Sequence, residues 1–106
     1  MRLQEAQQLF CLNIAKLIIW AYEQGYELTF GESFDDDGKG HMKNSNHYIR
    51  LAQDFCLFKD GKYLTDSESY RRLGVAWKAL HLLNRWGGDF KSPDGNHFSM
   101  EWKGRA

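Results

Sequence analysis

The chain has 106 residues, 42% of them hydrophobic, with four Trp, five Tyr and seven Phe. That length sets a single domain over residues 1–106 as the expectation, with a modest core filled largely by aromatic rings. Fourteen basic and fourteen acidic residues cancel, which argues against nucleic acid as a partner held by bulk charge.

Cys11 and Cys56 stand outside any CxxC spacing and are too few for a disulfide framework, so both read as buried thiols. The N-terminus carries Arg2, Gln4, Glu5, Gln7 and Gln8, with no unbroken apolar run and no small-residue cleavage site. The expectation is synthesis in the cytoplasm without a signal peptide. Leu17 to Tyr22 is the longest apolar run and falls well short of the roughly 20 residues a membrane span needs, so membrane insertion is not expected.

Leu3, Ala6, Phe10, Asn13/Ile14, Leu17 and Ala21 recur at helical spacing and predict an amphipathic helix over residues 3–24, stopped by Gly25 as a left-handed cap. Tyr26 to Phe30 predicts a short strand. Residues 31–46, with three glycines around Asp35, Asp36 and Asp37, predict a polar loop. Residues 48–58 predict a central strand, and Asp60-Gly61 a tight reversal after it. Thr65 and Glu68 have capping-box spacing, and a helical stripe through Leu73, Trp77, Leu80 and Leu83 extends a second helix over residues 67–84. Trp86-Gly87-Gly88 breaks that helix, Asp94-Gly95 makes a turn, and residues 97–102 alternate as a strand. The simplest packing is α+β: a small antiparallel sheet covered by two main helices.

Against that scaffold, His47, Asp54 and His97 stand out as a facial set of metal ligands. Two imidazoles and a carboxylate form a common zinc shell that leaves a fourth position open for water, and Asp94, three residues before His97, suits a general base. Asp54 is the most telling. It lies between Ala52 and the run Phe55-Cys56-Leu57-Phe58, where an unpaired carboxylate is costly to bury. A metal, Arg50 or a protonated histidine would each satisfy it. Seven residues separate His47 from Asp54, which on a regular strand puts them on opposite faces. Shared ligation therefore requires an irregular entry or a bulge. His81 reads as a packing or surface residue of the second helix, His41 as a spare ligand at most, and Cys56 as core. The three consecutive aspartates read as a solvated acidic loop rather than a calcium site.

Ser45-Asn46-His47, then Ala52-Gln53-Asp54, then Asp94-Gly95-Asn96-His97 resembles the motif pair of the zinc metallopeptidases that comprise D-Ala-D-Ala carboxypeptidases and phage L-alanyl-D-glutamate endolysins. The likeness continues through Leu57 to Tyr63, Tyr70 to Gly74, Trp77, and Trp86 to Phe90, and Gly25 to Glu32 is similar to phage members. The resemblance implies the hedgehog/D-Ala-D-Ala-peptidase-like fold and one zinc ion on His47, Asp54 and His97. It makes Asp94 the catalytic base and places Ser45 behind the ligands. It implies a peptidoglycan stem peptide as substrate, and a monomer that reaches the periplasm or cell wall after holin-type release.

One departure stands against the family pattern: no arginine occurs between Arg2 and Arg50, where members carry one to steady the substrate. Arg50, Lys39 or Lys43 are the available substitutes. The departure also motivates an alternative, a catalytically impaired metal-binding member acting as a binding or inhibitor protein. A nuclease built on Asp94 to His97 fits poorly with a neutral chain.

Overall fold

The computed structural model describes residues 1–31 and 45–106. The polar loop read into residues 31–46, its three aspartates, His41, Lys39 and Lys43 therefore lie outside the described residues, Gly31 and the last two loop positions excepted.

Helix α1 spans Leu3–Glu23, and Glu5 accepts from the Arg2 backbone N–H at its start. Ala6, Phe10, Asn13, Leu17 and Ala21 form its buried stripe, one face at a period of 3.6 residues. Gly25 takes the left-handed conformation expected of it, at φ 87°. Strand β1 follows at Tyr26–Phe30 and β2 at Ala52–Lys59. A reversal through Asp60 and Gly61, at φ 52° and 77°, leads into β3 at Lys62–Leu64. A 3-10 turn over Ser67–Tyr70 then runs into helix α2, Arg71–Leu80, followed by β4 at Asn84–Trp86 and β5 at His97–Met100.

Among the described residues every strand pairing is antiparallel, in the order β1-β2-β5-β4 with β3 beside β2. The sheet is thus α+β in the expected sense, with two helices against it. Phe98 of β5 meets the edges of Trp77 on α2 and Phe55 on β2, and Trp77 in turn meets Phe10 of α1. Alternation along β5 places Phe98 and Met100 on that helix-covered face and sends His97 and Ser99 to the other.

Several boundaries differ from expectation. The central strand begins at Ala52, because residues 46–49 form a 3-10 turn closed by Arg50 in a left-handed conformation at φ 58°. Asp66 rather than Thr65 caps the second helical segment, its carboxylate accepting from the N–H and hydroxyl of Ser69. That helix stops at Leu80 instead of residue 84. His81 is extended, its Nδ1 accepts from Leu83 N–H, and the next residues become β4. The helical spacing of Leu83 was coincidental: sheet pairing with β5 claims that segment. β5 does not alternate in exposure, since all four residues are buried between β2 and β4. Cys11 is exposed and Cys56 partly so, so neither is the buried thiol the composition suggested.

Candidate metal centre

Two of the three proposed ligands face each other across a sheet rung. Asp54 on β2 and His97 on β5 are register partners, which sets their side chains on one face at neighbouring positions. His47 reaches them from the 3-10 turn over Asn46–Ile49. Because the chain is irregular between His47 and Ala52, strand alternation does not apply there and the two residues can share a face.

The result is a compact cluster. Ligand atoms of His47, Asp54 and His97 all lie within 4.8 Å of one another. Asp54 Oδ1 is 3.2 Å from His47 Nε2 and 3.4 Å from His97 Nδ1. Atoms bound to one zinc at roughly 2.0–2.1 Å in a tetrahedron sit about 3.4 Å apart, so these separations suit a shared ion. The two rings are nearly perpendicular, with centroids 5.1 Å apart. Their side chains and that of Asp54 are 3%, 7% and 12% exposed.

The donor set also asks for positive charge. Burial pushes the Asp54 carboxyl up, but the imidazoles of His47 and then His97 outweigh it and hold the group below its ordinary value of 3.8. Yet Oδ1 accepts no well-aligned hydrogen bond among the described residues. A buried carboxylate so placed is satisfied by a proton on a neighbouring ring or by a cation common to all three. On both geometry and charge, these residues fit a divalent metal.

His97 has support behind it: Nε2 lies 3.3 Å from the backbone oxygen of Ala106. A hydrogen on Nε2 would donate to that oxygen and leave Nδ1 as the inward-facing lone pair.

Asp94 is exposed at the far end of the turn that delivers His97. His97 N–H donates to Asp94 O, and Asp94 N–H donates to Gly87 O. Gly95 is clamped from both sides, since its N–H donates to Ser67 Oγ and its carbonyl accepts from the Trp86 indole. Gly87 must lack a side chain, because a Cβ there would collide with the Asp94 carbonyl oxygen and with His97 Cβ. Ser67, Trp86 and Gly87 thus shape the Asp94–His97 turn, although their role has no local signature in the sequence.

The remaining expected residues fall nearby in the chain. Ser45 caps the His47 turn, its Oγ accepting from His47 N–H. Arg50 is exposed at the end of that turn and is not the cation beside Asp54, whose side-chain neighbours within ion-pair distance among the described residues are the two histidines. Cys56 and His81 are outside the ligand cluster; Cys56 instead meets the Tyr63 hydroxyl.

A family model described as D-alanyl-D-alanine carboxypeptidase matches residues 39–100, a span that includes His47, Asp54, Asp94 and His97. The chain belongs to that peptidase family. Among solved structures, it is similar to the L-Ala D-Glu endopeptidase ChiX of Serratia marcescens, with a TM-score of 0.65 over 94% of this chain and 86% of that one. Identity is 19%, so this likeness is one of fold. Comparison with curated proteins finds no match. Among the described residues, no helix is long and apolar enough to cross a membrane.

Proposed function

We propose that this member of the family is a zinc-dependent peptidase, folded as one catalytic domain over residues 1–106, that hydrolyses a peptide bond in peptidoglycan stem peptides. The observation that carries the reading is the convergence of His47, Asp54 and His97 in a family whose model is matched across all three. The bond is of the L-alanyl-D-glutamate or D-Ala-D-Ala type, as the family description and the fold neighbour suggest. A zinc ion bound by those residues supplies Lewis acidity toward a carbonyl and a water.

The chain's own groups do the rest. The Asp94 carboxylate accepts a proton from the attacking water and delivers it to the leaving amine. Ser45 fixes the backbone of the His47 turn, and Arg50, exposed beside it, is available to the substrate. The protein acts as a monomer, without nucleic acid or membrane insertion. It reaches the periplasm or wall through holin-type release, in the manner of a bacteriophage endolysin.

Zinc-loaded protein is expected to release new amino groups from purified peptidoglycan. Asp94→Ala should retain its metal while losing on the order of 10²–10⁴ in rate. Absence of release from metal-replete wild type would defeat the peptidase reading. It would favour the second one, a metal-binding protein without hydrolytic activity, for which the lack of any arginine between Arg2 and Arg50 speaks.

A further inference from the structure

His47 comes from a short turn rather than from the sheet, so something must hold that turn against Asp54 and His97. The Gln7 amide donates to Ile49 O at its far end, and at the His47 end the side-chain contacts span more than fifty residues. Asn46, immediately before His47, is wholly buried. Its side-chain amide donates to Met100 O at 2.7 Å and to Arg105 O at 3.0 Å. Its backbone oxygen accepts from Leu51 N–H at 2.9 Å. On the other side of the same dipeptide, Arg105 Nη2 donates to Ser45 O at 3.1 Å.

The partner segment is itself a small built structure. Trp102 and Arg105 exchange backbone hydrogen bonds of 2.8 and 2.9 Å. Lys103 and Gly104 between them have φ of 48° and 81°, as a two-residue type I′ reversal requires. That hairpin delivers the Arg105 carbonyl to Asn46, the Arg105 guanidinium to Ser45, and the Ala106 oxygen to His97 Nε2. One five-residue segment therefore touches the supports of two of the three ligands.

We propose that Asn46 and Arg105 are positioning residues for the metal centre: through the 102–106 hairpin they fix the His47 turn relative to the Asp54–His97 rung. The inference rests on the metal reading given above. It adds that ligand geometry, and not only fold stability, depends on these two side chains. Neither touches the ion. Asn46 acts through the backbone of His47, and Arg105 through Ser45 and the course of the hairpin.

The test compares wild type, Asn46→Ala, Arg105→Ala and Arg105→Lys as folded, full-length proteins well below their melting temperatures. Two quantities are read: the zinc dissociation constant by competition with a chromophoric chelator, and the visible absorption spectrum with cobalt(II) in place of zinc. Loss of a residue that orients ligands weakens metal binding by about 10–100-fold. Both alanine variants should show that weakening together with an altered cobalt spectrum. Arg105→Lys, which keeps one donor for Ser45 O, should recover part of each. Because Asn46 is buried, its variant is the one at risk of misfolding; Arg105→Ala, at a half-buried position, decides the matter in that case. Wild-type zinc affinity and an unchanged cobalt spectrum in folded Arg105→Ala would overturn the proposal, even with a lowered melting temperature. A wild type that binds neither metal would instead remove the metal reading itself, and this inference with it.

Discussion

The site is assembled from two regions held by different physics. The Asp54–His97 rung belongs to the antiparallel ladder between β2 and β5, where backbone hydrogen bonds set the register and leave each side chain little choice of direction. The His47 turn has no ladder. It is a single 3-10 turn capped by Ser45 and fastened to distant chain by its own Asn46 amide and by the Arg105 guanidinium. Short 3-10 pieces have poorer hydrogen-bond geometry than sheet or α-helix, so such a turn needs outside support to serve as a ligand platform. A ligand on a strand is placed by the fold; a ligand on a turn is placed by its neighbours.

The strongest way to break this comparison is to remove one half of the rung. Asp54→Ala should reduce bound zinc from near one per chain to almost none by elemental analysis, whereas altering the support of the turn only weakens binding. Retention of stoichiometric zinc in Asp54→Ala would show that the carboxylate is not a ligand and that the rung is not the anchor.

A pair of glycines sharpens the comparison next. Gly87→Ala would press on the Asp94 carbonyl and His97 Cβ, and Gly74→Ala on the Trp86 ring. Overpacking of this kind costs about 1–3 kcal/mol, and denaturant unfolding of the metal-free proteins should show both losses. Zinc affinity should fall further in Gly87→Ala, because its collision is with the turn that carries His97 itself. Equal affinities would mean that the turn absorbs the strain without moving the ring.

The smallest expected effect concerns a hydroxyl that, among the described residues, bonds only to the backbone of β2 and belongs to no ligand residue. The Tyr70 hydroxyl accepts from Leu57 N–H and donates to Phe55 O, tying the core to that strand. Tyr70→Phe should destabilise the fold by about 1 kcal/mol and leave zinc affinity unchanged. Burial pushes this hydroxyl from 10.0 up to about 12. A raised value means that the contribution is complete below pH 10 and is lost as pH climbs through about 12. Unfolding measured across that window should show a decline in wild type that is reduced in the phenylalanine variant.

How much of this was legible beforehand depends on whether the governing signal was local. The α1 stripe, the Gly25 stop and the Asp60-Gly61 reversal follow from periodicity and from backbone preferences of individual residues, and the structure has them where expected. The second helix ran too far in the reading, because Leu83 fits a helical stripe but Asn84 to Trp86 pair with β5. Residues 48–51 read as strand because Tyr48, Ile49 and Leu51 are β-prone and lead into the run after Ala52, and periodicity holds no signal for a 3-10 turn. Even so, the spacing of His47 and Asp54 already demanded an irregular entry if they were to meet.

By itself, the sequence determined the residue types at the site, the need of Asp54 for a positive neighbour, and the family motif that joins His47, Asp54 and His97. Those are matters of chemistry and local spacing. Only the tertiary structure decided that Asp54 and His97 share a rung, and that Gly87 must stay bare beneath the Asp94 turn. It alone brought Asn46 and Arg105 together behind His47. These depend on strand register and on contacts across more than fifty residues, which no local preference encodes.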